Sequence, residues 1–166
     1  MIIGIGGVSR SGKSTLAEII NSIFNQDRVV IIPQDNYVFD EEAIPEIRGE
    51  VDWECPESID FPRYKSALEE ASEFNDVIIA DGLLAFYDEE INQLYDKRIF
   101  VSVGEKIFRE RKVSDLRWGS YPHWYIDHIW ESYLKYGKIN VNSIDYFHLD
   151  GSKSFDKDLI KEYLTN

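Results

Sequence analysis

The chain has 166 residues, 43% hydrophobic and 30% charged, which suits one globular, water-soluble domain with a sizeable core. Acidic residues number 31 against 18 basic ones, for a formal net charge of -13. That balance excludes a nucleic acid polymer as partner, since such binding depends on neutralising phosphates, but not a small anion held by a local positive cluster. No run approaches the roughly 20 apolar residues of a membrane span, and no basic region precedes the first apolar stretch. Cys55 is the only cysteine, which forbids an intrachain disulfide. A cytoplasmic location without a membrane partner is expected, as monomer or homodimer, with Cys55 a small packed residue rather than a reactive thiol.

Met1–Gly6 is a short apolar run that reads as a buried strand, and Thr15–Phe24 carries apolar residues at helical spacing. Between them Gly7-Val8-Ser9-Arg10-Ser11-Gly12-Lys13-Ser14 fits the G-x-x-x-x-G-K-[ST] phosphate loop. Glycines let the backbone wrap a phosphate with its N–H groups and the positive end of the following helix. Lys13 then reaches the β- and γ-phosphates of ATP, and the Ser14 hydroxyl is placed to ligate Mg²⁺. Gly7, Ser9, Arg10, Ser11, Gly12, Lys13, Ser14 and Thr15 are therefore the candidate nucleotide contacts.

Arg28–Ile32 is a β-branched run, as in a parallel strand covered on both faces, and Pro33 stops it. Asp35 follows just past its carboxyl end, the edge where open α/β sheets bind ligands. An exposed acidic excursion spans about 36–60; its residues 38–54 are aperiodic, Pro45 and Gly49 breaking any helix, and Trp53 and Glu54 lie on it. Pro56 is expected to begin a helix that Ser58 helps to start. Asp76–Gly82 is a strand ending in an acid; beside a phosphate loop Asp81 reads as a Mg²⁺ carboxylate, the alternative being an Asp-Gly turn.

A short helix over Glu89–Tyr95 and a strand over Lys97–Val103 come next. The helix Glu105–Asp115 carries Arg109, Arg111 and Lys112, with Arg117 just after: a solvated face, or a lid over about 109–123 whose cations close on the transferring phosphoryl group. Gly119–Pro122 breaks the chain before an aromatic helix, Trp124–Lys138, on which His128 reads as a hydrogen-bonded core residue rather than a catalyst. Ser143–Leu149 is the last strand, and Phe155–Leu164 the closing helix. The alternation predicts an α/β fold of three layers, α/β/α, around a five-stranded parallel sheet.

The ordered set Gly4–Thr15, Gln34-Asp35, Trp53–Asp60, Asp81–Phe86, His128-Ile129-Trp130 with Tyr133–Tyr136, and Leu149–Ser154 resembles the uridine kinase and nicotinamide riboside kinase group of P-loop kinases, the riboside kinases more closely. The resemblance implies ATP-dependent phosphorylation of the 5′-hydroxyl of a nucleoside-like small molecule, nicotinamide riboside first and uridine or cytidine second. It makes Asp35 the general base, Glu54 the acid on the ribose hydroxyls and Trp53 the aromatic stacked on the base, which suits a cationic pyridinium. Asp81 serves Mg²⁺, the region from Arg109 to Arg117 forms the lid with Arg111 or Lys112 as its catalytic cation, and the loop carrying Lys153 lies near the adenine. A nucleotide-binding regulator without an acceptor, using the acidic excursion as its docking surface, is the competing class.

Overall fold

In a computed structural model of the protein, residues 1–25, 28–115, 122–138 and 145–166 are described. Strands β1 (Ile2–Gly6), β2 (Val29–Pro33), β5 (Val77–Gly82), β6 (Lys97–Ser102) and β7 (Phe147–Asp150) form one parallel sheet in the order β2-β5-β1-β6-β7. A second, two-stranded antiparallel pair, β3 (Glu46–Ile47) and β4 (Glu50–Val51), lies in the acidic excursion.

Strand alternation sorts the core into two faces. Ile3, Ile5, Val77, Ile79, Ile99 and Val101 pack against Leu16, Ala17 and Ile20 of helix α1 (Lys13–Ile23) and Ile160 and Leu164 of α6 (Lys157–Thr165). On the other face Ile2, Ile78 and Ala80 meet Tyr64 and Leu68 of α2 (Phe61–Phe74) and Ile91 of α3 (Glu89–Leu94). Phe100 there packs with Phe108 of α4 (Glu105–Val113) and Ile126 and Ile129 of α5 (His123–Ser132). The expected three layers and five parallel strands are present. Among the described residues no helix is long and apolar enough to cross a membrane.

Several boundaries differ from expectation for identifiable reasons. A 3₁₀ turn covers Pro56–Ser58, and the helix after it starts later, capped by the Asp60 side chain accepting from Arg63 N at 3.1 Å. Ser58 cannot cap, because its buried hydroxyl donates to Cys55 O and Trp53 O, and Ile59 stays extended to bridge Val38. That bridge, with Phe39 N to Ser58 O and Asp60 N to Tyr37 O, closes the neck of the excursion. Its tip is a hairpin turned by Arg48 and Gly49, both at positive φ. The excursion is thus a closed, internally bonded loop rather than an aperiodic one.

The aromatic helix ends its α-helical part at Ser132 and continues as a π-helical turn over Tyr133–Gly137. The last strand begins at Phe147 rather than 143; positions 143 and 144, like Arg117 and most of the chain break over 119–122, lie outside the described residues.

Candidate active site

Parallel register brings the site together. Gly6 pairs with Gly82 and Pro33 with Asp81, so β1, β5 and β2 end level. The phosphate loop, Asp81 and Asp35 therefore emerge along one sheet edge, the ligand edge of open α/β folds.

At β5 the Ser14 hydroxyl donates to Asp81 Oδ2 at 3.3 Å. Two ligand oxygens on one edge of a Mg²⁺ octahedron stand about 3 Å apart, so these two fit a shared hard cation. Among the described residues no group of three His, Cys, Asp or Glu side chains could hold a metal. The protein would therefore offer Ser14 and Asp81, and phosphate and water oxygens the rest, as is usual for Mg²⁺. Burial raises the Asp81 carboxyl above its ordinary range, an effect that Lys13 partly reverses. Burial in turn lowers the Lys13 ammonium, and the charges of Asp35, Asp81 and Glu54 pull it back up. Lys13 Nζ donates to Val8 O at 3.1 Å, within the loop. The Ser11 hydroxyl is buried there with no hydrogen-bond partner among the described residues, a polar atom left over for a ligand.

Asp35 lies on a 3₁₀ turn, Gln34–Tyr37, whose anchor is Gln34. The Gln34 amide oxygen accepts from Leu84 N at 3.0 Å across β5. A Cβ at Gly82 would meet that oxygen at 2.3 Å, so Gly82 is what lets the two strand ends close up. The pairing of Gln34 with Gly82 is a positional device the sequence left unexplained.

Trp53 and Glu54 leave β4 toward the same edge. Trp53 is 37% exposed, while burial pushes the Glu54 carboxyl up to about 7. Buried Lys112 opposes that rise most strongly and His128 less, whereas Asp35 and Asp52 add to it. Lys112 on α4 thus acts on Glu54. Its neighbour Arg111 points elsewhere, donating to Arg10 O at 3.0 Å and Gly151 O at 2.9 Å. Arg109 pairs with Glu105 at 2.7 Å and with Asp127, tying α4 to α5. Arg10, at φ 63, pairs with the buried Asp115 carboxylate at 3.7 Å. The basic cluster is therefore divided among three tasks, and the expected lid continues into 116–121, outside the described residues.

Lys153 is exposed and pairs with Asp150 at 3.2 Å on the loop after β7. Asp150, held well down at about 2 by Ser152 and Lys153, also accepts from Ser152 N. The backbone of that loop sits directly on the phosphate loop: a Cβ at Gly151 would lie 2.1 Å from Ser11 O. His128 is hydrogen-bonded, its Nε2 2.7 Å from Asp52 Oδ1, as expected. Burial raises the Cys55 thiol to about 11, as for a packed, unreactive residue.

Sequence comparison decides between these chemistries and a bare nucleotide switch. The chain is 31% identical over 144 residues to a uridine kinase of Lactobacillus helveticus, aligning 70% of this chain and 68% of that one. It belongs to the uridine kinase and nicotinamide riboside kinase family. Nicotinamide riboside kinase 1 of Rattus norvegicus aligns over 97% of this chain and 90% of its own at 26% identity. No family model matches the chain. Deoxyadenosine kinase of M. mycoides superposes over the whole of both chains with a TM-score of 0.62 at 17% identity, a likeness of fold. As a member of this kinase family, the chain is a phosphotransferase acting on an alcohol group, and its phosphate loop is an ATP-type site.

Proposed function

We propose that the protein transfers the γ-phosphoryl group of ATP, with Mg²⁺, to the 5′-hydroxyl of a nucleoside-like acceptor, nicotinamide riboside before uridine or cytidine. The observation that carries this reading is the convergence of four charges. Asp35, Asp81 and Glu54 each act on Lys13, and Asp35 acts on Glu54 and on Asp81, so donor and acceptor groups share one field. Phosphoryl transfer asks chiefly for positioning and charge stabilisation. Lys13 and the loop N–H groups would hold the donor phosphates. Bound Mg²⁺ would neutralise charge on the β- and γ-oxygens. Asp35 would accept the hydroxyl proton, and Glu54 would fix the ribose.

Exposed Trp53 beside an acid favours a flat ring, and a pyridinium in particular, since a tryptophan face attracts positive charge. Alignment length points the same way, because the riboside kinase relative covers nearly the full chain. The higher identity to uridine kinase keeps the pyrimidine nucleosides as the second reading. Incubation with ATP, Mg²⁺ and a panel of ribosides tests it. Phosphorylated nicotinamide riboside at the highest kcat/KM is expected; hydrolysis of ATP indifferent to any acceptor would refute the kinase reading of this site.

A further inference from the structure

The segment that carries Trp53 and Glu54 is bonded within its own loop, Asp52 N donating to Pro45 O at 2.8 Å and the Ser58 hydroxyl to Trp53 O at 3.1 Å. The hairpin β3–β4 contributes two residues per strand, far short of a pairing stable on its own. Helix α5, more than seventy residues later, ties the segment to the rest of the fold. The Tyr125 hydroxyl donates to Val51 O at 3.1 Å and accepts from Trp53 N at 3.4 Å, so one side-chain oxygen bonds the backbone on both sides of Asp52. Asp52 itself is bonded from α5 by His128 at 2.7 Å, and because a carboxylate only accepts, His128 Nε2 carries the proton. The same Asp52 Oδ1 accepts from Glu54 N at 3.1 Å. A continuous path therefore runs from His128 through Asp52 to the main chain of Glu54. At the hairpin tip, the Arg48 guanidinium lies 5.0 Å over the Trp124 ring, on the same helix.

We propose that Tyr125 and His128 are positioning residues for the acceptor: α5 sets where Trp53 and Glu54 stand, and neither residue touches the donor. The inference rests on the reading of 53–54 as the acceptor segment. Phosphoryl transfer is sensitive to displacements on the order of 1 Å, so a loosened segment is read in acceptor binding first.

The test compares Tyr125→Phe, His128→Leu and His128→Gln with the wild type, measuring KM for both substrates and kcat. Glutamine retains an N–H that can reach Asp52; leucine does not. Tyr125→Phe and His128→Leu are expected to raise the acceptor KM about five- to tenfold each, with donor KM within about twofold of wild type, and His128→Gln to recover most of the loss. An unchanged acceptor KM overturns the proposal. So does an equal rise in both KM values, which is what general loosening of the fold produces. If the wild type phosphorylates no riboside at all, the functional reading falls separately. Amide exchange at 51–54 then decides the anchor: faster exchange in Tyr125→Phe sustains it and unchanged exchange removes it.

Discussion

Glu54 is a carboxylate kept where water cannot solvate it well, and its replacement should separate function from stability. Burial moves it from an ordinary value of 4.5 to about 7. For an acid raised in the folded state, ionisation opposes folding: the cost is absent below the unfolded value and complete above the folded one. Those two values give a cost on the order of 1 kcal/mol at pH 5 and roughly 3 kcal/mol at pH 8. Glu54→Gln removes the titration while keeping the shape, and the attraction of the ionised carboxylate to Lys112 is already contained in the value of about 7. The stability of the variant relative to wild type should therefore improve by roughly 2 kcal/mol between pH 5 and pH 8. Urea unfolding of both proteins at the two pH values measures the difference, and titrating groups that do not face Glu54 cancel in it. If Glu54 holds the ribose as proposed, the same variant should bind the acceptor more weakly, since an amide offers one neutral accepting oxygen where a carboxylate offers two charged ones. A relative stability that is equal at both pH values, or lower at pH 8, would refute the argument.

Asp35→Ala should lower kcat by about 10²- to 10⁴-fold with the donor Kd unchanged, as for loss of a general base; nucleotide titration beside turnover separates the two effects. Lys13→Ala, by contrast, should abolish transfer and weaken the donor, with an unchanged circular dichroism spectrum. Asp81→Asn should raise the Mg²⁺ concentration for half-maximal rate about tenfold or more, read by metal titration at fixed ATP. Gly151→Ala forces a methyl to within 2.1 Å of Ser11 O and should cost about 1–3 kcal/mol in thermal unfolding, together with weaker ATP binding.

What could be seen in the sequence was what folds locally. The phosphate loop is contiguous, and Asp35 and Asp81 each follow an apolar run, so their arrival at one edge required only that the strands be parallel and level. Asp60 and Ser58 were harder: both can cap a helix, and it takes the return of Ile59 to Val38 and the bonds of the Ser58 hydroxyl to Cys55 O and Trp53 O to put Ser58 out of contention. The basic stretch on α4 shows the limit best. Adjacent residues on a helix point about 100° apart, so Arg111 and Lys112 cannot share a task, and composition says nothing of which faces inward. The contacts decide it, Arg111 reaching carbonyls on the phosphate loop and on the loop after β7, and Lys112 acting on Glu54. Tyr125 leaves no local trace at all, because a hydroxyl bonded to main-chain atoms 72 and 74 positions away fixes no residue type at the other end. The proposed acceptor half of the site is thus read from motif alone only as far as Trp53 and Glu54. Main-chain support for that segment comes from a helix whose aromatic pattern suggests nothing but core, so on the proposed reading acceptor KM should respond to substitutions in α5 as well as to those at Trp53 and Glu54.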